Sequence, residues 1–150
     1  MTNAPAAGPI QLTSDMREAV NGALTAGIPV VVAYVDEAGQ PNLSFRGSVQ
    51  VYSDDQLAIW VRNPEGGLQR ALASNPRLTL LYRNPQTRMM LNFQGRGRFD
   101  GSEGVRATVY EHSPQPEQNA DRERKGRALI IDLDRVVGVV PGGRVLMQRQ

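Results

Sequence analysis

The chain has 150 residues, 40% hydrophobic and 21% charged, with a formal net charge of +2 and no cysteine. That is the size and make-up of one globular domain. It excludes disulfides, thiolate nucleophiles and Cys-ligated zinc, and arginines scattered among acids argue against a nucleic-acid partner.

No apolar run approaches the ~20 residues of a membrane span, and the start, MTNAPAAGPI, lacks the basic-then-apolar order of a secretory signal. Residues 1–12 are expected to be a disordered Ala/Pro-rich leader, with a single domain over 13–150. A cytoplasmic protein with no membrane contact is the corresponding expectation.

A first helix is predicted from Ser14 to about Ala26, capped by Thr13 or Ser14, with Met16, Val20 and Leu24 at helical spacing. Gly27 stops it and Pro29 prevents its continuation. Val30 to Asp36 reads as a buried β-branched strand, and Asp36 to Pro41 as a turn. Asn42 to Tyr52 alternates, with Leu43, Phe45, Val49 and Val51 on one face and Asn42, Ser44, Arg46, Ser48 and Gln50 on the other. A turn at Ser53–Asp55 leads to a strand over Gln56–Arg62, predicted to pair with the preceding one as an antiparallel hairpin.

Asn63 to Gly67 forms a loop before a short helix, Leu68 to Ser74, which Asn75-Pro76 ends. Strands follow over Leu78–Tyr82 and Arg88–Phe99, where Gly95 and Gly97 predict bulges or close backbone approach. A third helix spans Ser102 to His112. Residues 113–125 read as a polar loop with at most one helical turn, expected to act as a mobile flap. Ala128 to Leu133 is a buried strand, extended or followed by Val136–Val140. Short strands joined by tight turns predict an antiparallel sheet curling into a barrel, since a parallel sheet needs helical crossovers that the first three strands lack.

Ser44, Arg46 and Ser48 put two hydroxyls beside a guanidinium, a donor set suited to a phosphate or another anion. Alternation alone favours an ordinary solvent-facing strand with polar residues. Gly66 and Gly67 let backbone amides approach a ligand at a helix start, flanked by Arg62 and Arg70; they also simply make the turn. Trp60 can stack on a planar cofactor or pack in the core. His112 is the only histidine, so no multi-histidine metal site exists. No metal site, triad or carboxylate pair is evident, and any hard chemistry falls to a bound cofactor.

From about Met16 to Val139 the order of elements resembles the pyridoxamine 5′-phosphate oxidase-like family, the FMN-binding split barrels. The resemblance rests on Arg46, Val49, Asp55, Leu57 and Ile59-Trp60, then the glycine loop and short helix, then ASNPRLTLLY and FQGRGRF. It implies a mainly β fold with flanking helices, a six-stranded antiparallel split β-barrel that works as a homodimer with cofactor sites between subunits. By that resemblance Arg46, Gly47 and Ser48 match the hairpin contacts, Trp60, Val61, Arg62, Gly66, Gly67, Leu68 and Arg70 lie on or beside the phosphate loop, and Gln94 approaches the ring. FMN is the implied cofactor. Leu68 stands where many members carry Lys or Arg, and relatives using a deazaflavin or haem keep those cofactors as alternatives, with His112 the one candidate haem ligand. The implied activity is hydride transfer to or from a small-molecule substrate by an oxidoreductase. The alternative is a non-catalytic flavin- or haem-binding module. The tail PGGRVLMQRQ lacks the family oxidase's substrate-binding Arg and His signature.

Overall fold

The computed structural model describes residues 6–150. The first five residues of the expected leader lie outside the described residues. The rest of that leader is structured: Gly8 N–H donates to Leu146 O at 3.2 Å, and Leu12 is buried with its N–H on Asp54 O.

The first helix, α1 (Ser14–Asn21), is capped by Thr13 Oγ1, which accepts from Met16 N–H, and buries Met16 and Val20. It ends five residues before the expected Ala26, because Gly22 closes it and turns carry the chain to Gly27 at φ 77°. Asn21 Oδ1 accepts from Val51 N–H at 2.8 Å, tying the helix end to the sheet. Strands β1 (Val30–Val35) and β2 (Pro41–Arg46) form a hairpin, its turn held by Asp36 Oδ1 accepting from Ala38 and Gln40 N–H and by Gly39 at φ 81°.

The strand expected to run unbroken from Asn42 to Tyr52 is two. It breaks at Gly47–Val49, and β3 (Gln50–Ser53) alone pairs with β4 (Gln56–Val61). The break resets the alternation, so the two expected faces do not run through: Leu43 and Phe45 point outward at 74% and 71% exposure, whereas Val49, expected on their face, is buried, as are Ser48 and Gln50.

After α2 (Gly67–Ser74) come β5 (Arg77–Asn84) and β6 (Met89–Asp100), whose alternate residues Leu78, Leu80, Tyr82, Leu91 and Phe93 are buried. Helices α3 (Glu103–His112) and α4 (Gln115–Asn119) precede β7 (Arg127–Val140) and β8 (Gly143–Gln148). The described residues thus form eight strands rather than six, and four helices rather than three.

Every strand pair is antiparallel, in the order β2-β1-β5-β6-β7-β4-β3, with β8 also on β7. β7 gives its first half to β4 and its second half to β8, so the sheet forks along it. A bulge between Gln94 and Gly95 marks the fork, and a Cβ at Gly95 would overlap Asp132 O. The expected glycine signal is thereby explained.

One core, including Leu57, Ile59, Leu80, Phe93, Leu129 and Ile131, fills the barrel. A second cluster lies under α3 and joins Ala58 and Trp60 of β4 to Val109, Tyr110, Ala128 and Ile130. Among the described residues no helix is long and apolar enough to cross a membrane.

Candidate functional site

The break after β2 makes the site. Where the chain leaves β2 for β3, Phe45, Arg46, Gly47 and Ser48 meet Trp60, Arg62 and Asn63 from the end of β4, and Glu117 of α4, around a concavity of about 350 Å³. Arg46 is half-buried, and its Nε donates to Ser44 Oγ at 3.1 Å, which orients the guanidinium. Arg62 is 53% exposed, with its Nε 3.4 Å from Glu117 Oε2. Two guanidiniums and one carboxylate leave the pocket with an excess of positive charge, which suits an anionic group.

Ser48 does not offer its hydroxyl to a ligand. Its Oγ donates to Trp60 O and accepts from Trp60 N–H, both at 3.0 Å, standing in for the ladder bonds β4 lacks just before β3 begins at Gln50. Ser48→Ala leaves a buried N–H and carbonyl without partners and is expected to cost about 1–3 kcal/mol. Urea denaturation measures it, and a loss below about 0.5 kcal/mol, the ordinary range for a surface substitution, would contradict the account.

Trp60 is a packing residue. Its ring meets Tyr110 edge-on at 5.2 Å, Arg106 lies 5.4 Å over it, and Nε1 donates to Asp121 Oδ2 at 2.8 Å. Asp121 also accepts from the N–H groups of Lys125 and Gly126, so the segment expected to be a free flap is pinned to β4.

Burial alone raises the Asp121 carboxyl, but the bonds from Gly126, Lys125 and Trp60, with the charge of Arg62, outweigh it and hold the group below its ordinary value. A lowered carboxylate stabilises the fold above its unfolded pKa of about 3.9 and loses that contribution as pH falls through the folded value. Emission from the single tryptophan is therefore expected to stay constant down to about pH 4 and to change below it. Asp121→Asn should produce the acid spectrum at neutral pH, and unchanged emission in that variant would contradict the assignment.

The glycine loop adjoins the pocket through Asn63, whose carbonyl accepts from Gly66 N–H at 3.2 Å and whose Oδ1 accepts from Glu65 N–H at 3.1 Å. Gly66 caps α2 without a side-chain bond, and Gly67 is exposed. Val61 and Leu68 are buried and contribute packing. Arg70 donates to Glu65 O at 2.9 Å and lies 3.5 Å from Glu37.

Gln94 lies elsewhere, exposed in a groove of about 710 Å³ with Tyr34, Asn75, Arg77, Thr79, Arg96 and Asp134. Tyr34 links the two regions, for its hydroxyl is the nearest group to a Cβ placed on Gly67. The structure thus gathers Arg46, Gly47, Ser48, Trp60 and Arg62 at one pocket, with Ser44 behind Arg46, sets Gly66 to Arg70 beside it, and places Gln94 in the adjoining groove. Asn63 was read as part of the Arg62–Leu68 phosphate loop, whereas Tyr34 and Glu117 went unread and carried no signal in the sequence. His112 is exposed on the last turn of α3, outside the lining of the Arg46–Arg62 pocket.

No family model and no curated protein matches the sequence. Solved structures do. The chain aligns over 100% of its length with 94% of a pyridoxamine 5′-phosphate oxidase-related, FMN-binding protein of Nostoc punctiforme, at TM-score 0.72 and 15% identity. HupZ of Group A Streptococcus matches at TM-score 0.66 and 17% identity, over 89% of this chain and 98% of that one. An FMN-binding protein of Syntrophomonas wolfei matches at TM-score 0.57 and 9% identity, over 83% and 86%. At such identities the likeness is one of fold. The chain has the split-barrel fold of the pyridoxamine 5′-phosphate oxidase-like, FMN-binding proteins.

Proposed function

We propose that the protein is a homodimeric flavin-binding oxidoreductase whose Arg46–Arg62 pocket takes the phosphate of FMN. The observation that carries the reading is the meeting of two guanidiniums and Gly47 at one concavity beside the uncapped start of α2. Those residues fit the phosphate: Arg46 is pre-oriented by Ser44, Arg62 reaches the same space, and the first amides of α2 have no side-chain cap. Bound there, a flavin supplies hydride chemistry toward a small organic substrate. Tyr34, Thr79 and Gln94 are the polar groups at hand in the neighbouring groove to orient a ring and a substrate. A deazaflavin is the alternative cofactor, kept open because Leu68, which is buried, stands where a Lys or Arg would otherwise reach the phosphate.

The dimer reading rests on the outer face of the sheet. Leu43, Phe45, Leu81, Met90 and Val139 are exposed there. They lie in register across neighbouring strands: Phe45 opposes Val31, Val31 opposes Leu81, and Met90 opposes Val139. A monomer rarely leaves such a face open. The pocket borders it, since Phe45 belongs to both.

Absorption and sedimentation of the protein purified from cytoplasm test the reading. A dimer with a flavin band near about 450 nm is the expected result, as for a bound isoalloxazine. A colourless monomer that takes up neither FMN nor a deazaflavin on titration would overturn it.

A further inference from the structure

Glu117 stands where an anion would sit. Its carboxylate faces Arg62 Nε at 3.4 Å, and its side chain is only 17% exposed. Gly47 leaves the room for it, because a Cβ there would overlap the carboxylate and press on Leu24. The position of Glu117 does not depend on its own ion pair. Its neighbour Gln118 holds α4 in place: Nε2 donates to Glu111 O at 3.0 Å and to Ser113 O at 2.9 Å, and the backbone carbonyl accepts from Tyr110 Oη at 3.0 Å. A carboxylate is thus presented to Arg62, in the pocket that Arg46 also lines, by a framework anchored elsewhere, while the pair with half-exposed Arg62 is itself weak.

We infer that Glu117 is a specificity-determining residue that competes with the ligand's phosphate for Arg46 and Arg62. The inference rests on the reading that this pocket takes that phosphate. A phosphate monoester carries close to two negative charges at neutral pH, and a carboxylate left in the pocket repels it. The side chain must therefore swing away from Arg62 as the phosphate enters. A ligand lacking the phosphate, such as riboflavin, does not meet this opposition. Glu117 accordingly narrows the preference for FMN over riboflavin below what two unopposed guanidiniums would give. Because the ion pair is weak, Glu117 tunes the affinity without forbidding binding.

Titration of FMN and of riboflavin against the full-length wild type, Glu117→Gln and Glu117→Ala, followed by quenching of flavin fluorescence, tests this. Thermal melts establish that the variants are folded. Both variants are expected to bind FMN about fivefold to tenfold more tightly than the wild type, the size expected for removing one like charge from a partly exposed site. Riboflavin affinity is expected to be unchanged. Equal FMN affinity in all three proteins would overturn the inference and leave the pocket reading standing. Tightening of FMN and riboflavin alike would overturn it too, since bulk rather than charge would then be the cause. If no form binds FMN, the pocket reading fails and the inference falls with it.

Discussion

Phe45→Glu is expected to convert the proposed dimer to a folded monomer. Phe45 is 71% exposed on β2, beside Leu43 at 74%, on a strand whose neighbours extend the apolar surface through Leu81. Burying one such ring at an interface contributes about 1.5–3 kcal/mol. A two-fold interface uses every residue twice, so the loss is roughly 3–6 kcal/mol, or about a hundredfold to ten-thousandfold in the dissociation constant of the dimer. Sedimentation velocity over a concentration series measures the shift. Because Phe45 also lines the Arg46–Arg62 pocket, Met90→Glu provides a second case at the far end of the face, outside that lining. Both variants should sediment as monomers with a native far-UV spectrum. Dimers of unchanged affinity in both would remove the outer face of the sheet from the interface.

Phe93→Ala is expected to have the largest effect on stability. Phe93 sits in the middle of β6, fully buried, between Leu80 of β5 and Val136 of β7. Truncating a buried phenylalanine costs about 3–5 kcal/mol, from lost transfer energy and the cavity left behind. A domain of this size has only about 5–15 kcal/mol in total, so the variant stands near the edge of folding. For about 150 residues each kcal/mol moves Tm by about 2–4 °C, which gives a fall of roughly 6–20 °C. Urea denaturation should show a lower midpoint at an unchanged slope. A loss under about 1 kcal/mol would mean that the ring is not at the centre of the core.

The barrel was legible where one face of a strand is apolar throughout. Leu78, Leu80 and Tyr82 of β5, and Leu91 and Phe93 of β6, recur at every second position and are buried as the period demands. Gly95 announced the bulge because only a residue without Cβ tolerates Asp132 O at that point. The stretch from Asn42 to Tyr52 misled for a physical reason. Alternation defines two faces but does not say which one meets the core, and the break at Gly47 resets the phase midway. Leu43 and Phe45 were therefore put on one face with Val49, which is buried, and Ser48 was read as a ligand donor rather than the partner of the Trp60 backbone.

The candidate site was legible in part. Arg46 was found as a cation flanked by hydroxyls on one strand face and Arg62 as a cation beside the glycine loop, while Gly47 came only with the family resemblance. Glu117 was not, since its place beside Arg62 depends on how α4 folds back over the end of β4. Tyr34 was hidden in the same way, as one more residue of an apolar strand until its hydroxyl is seen facing the start of α2.

The central claim, that Arg46 and Arg62 seat a flavin phosphate, is tested most directly by the affinities of FMN and riboflavin for the wild type and for Arg46→Ala. The account predicts tighter binding of FMN than of riboflavin by the wild type. It predicts a loss of about 1.5–3 kcal/mol in FMN binding by the variant, the range for a charge-assisted bond, with riboflavin unaffected. FMN bound equally well without the Arg46 guanidinium, or both ligands weakened by the same factor, would contradict it.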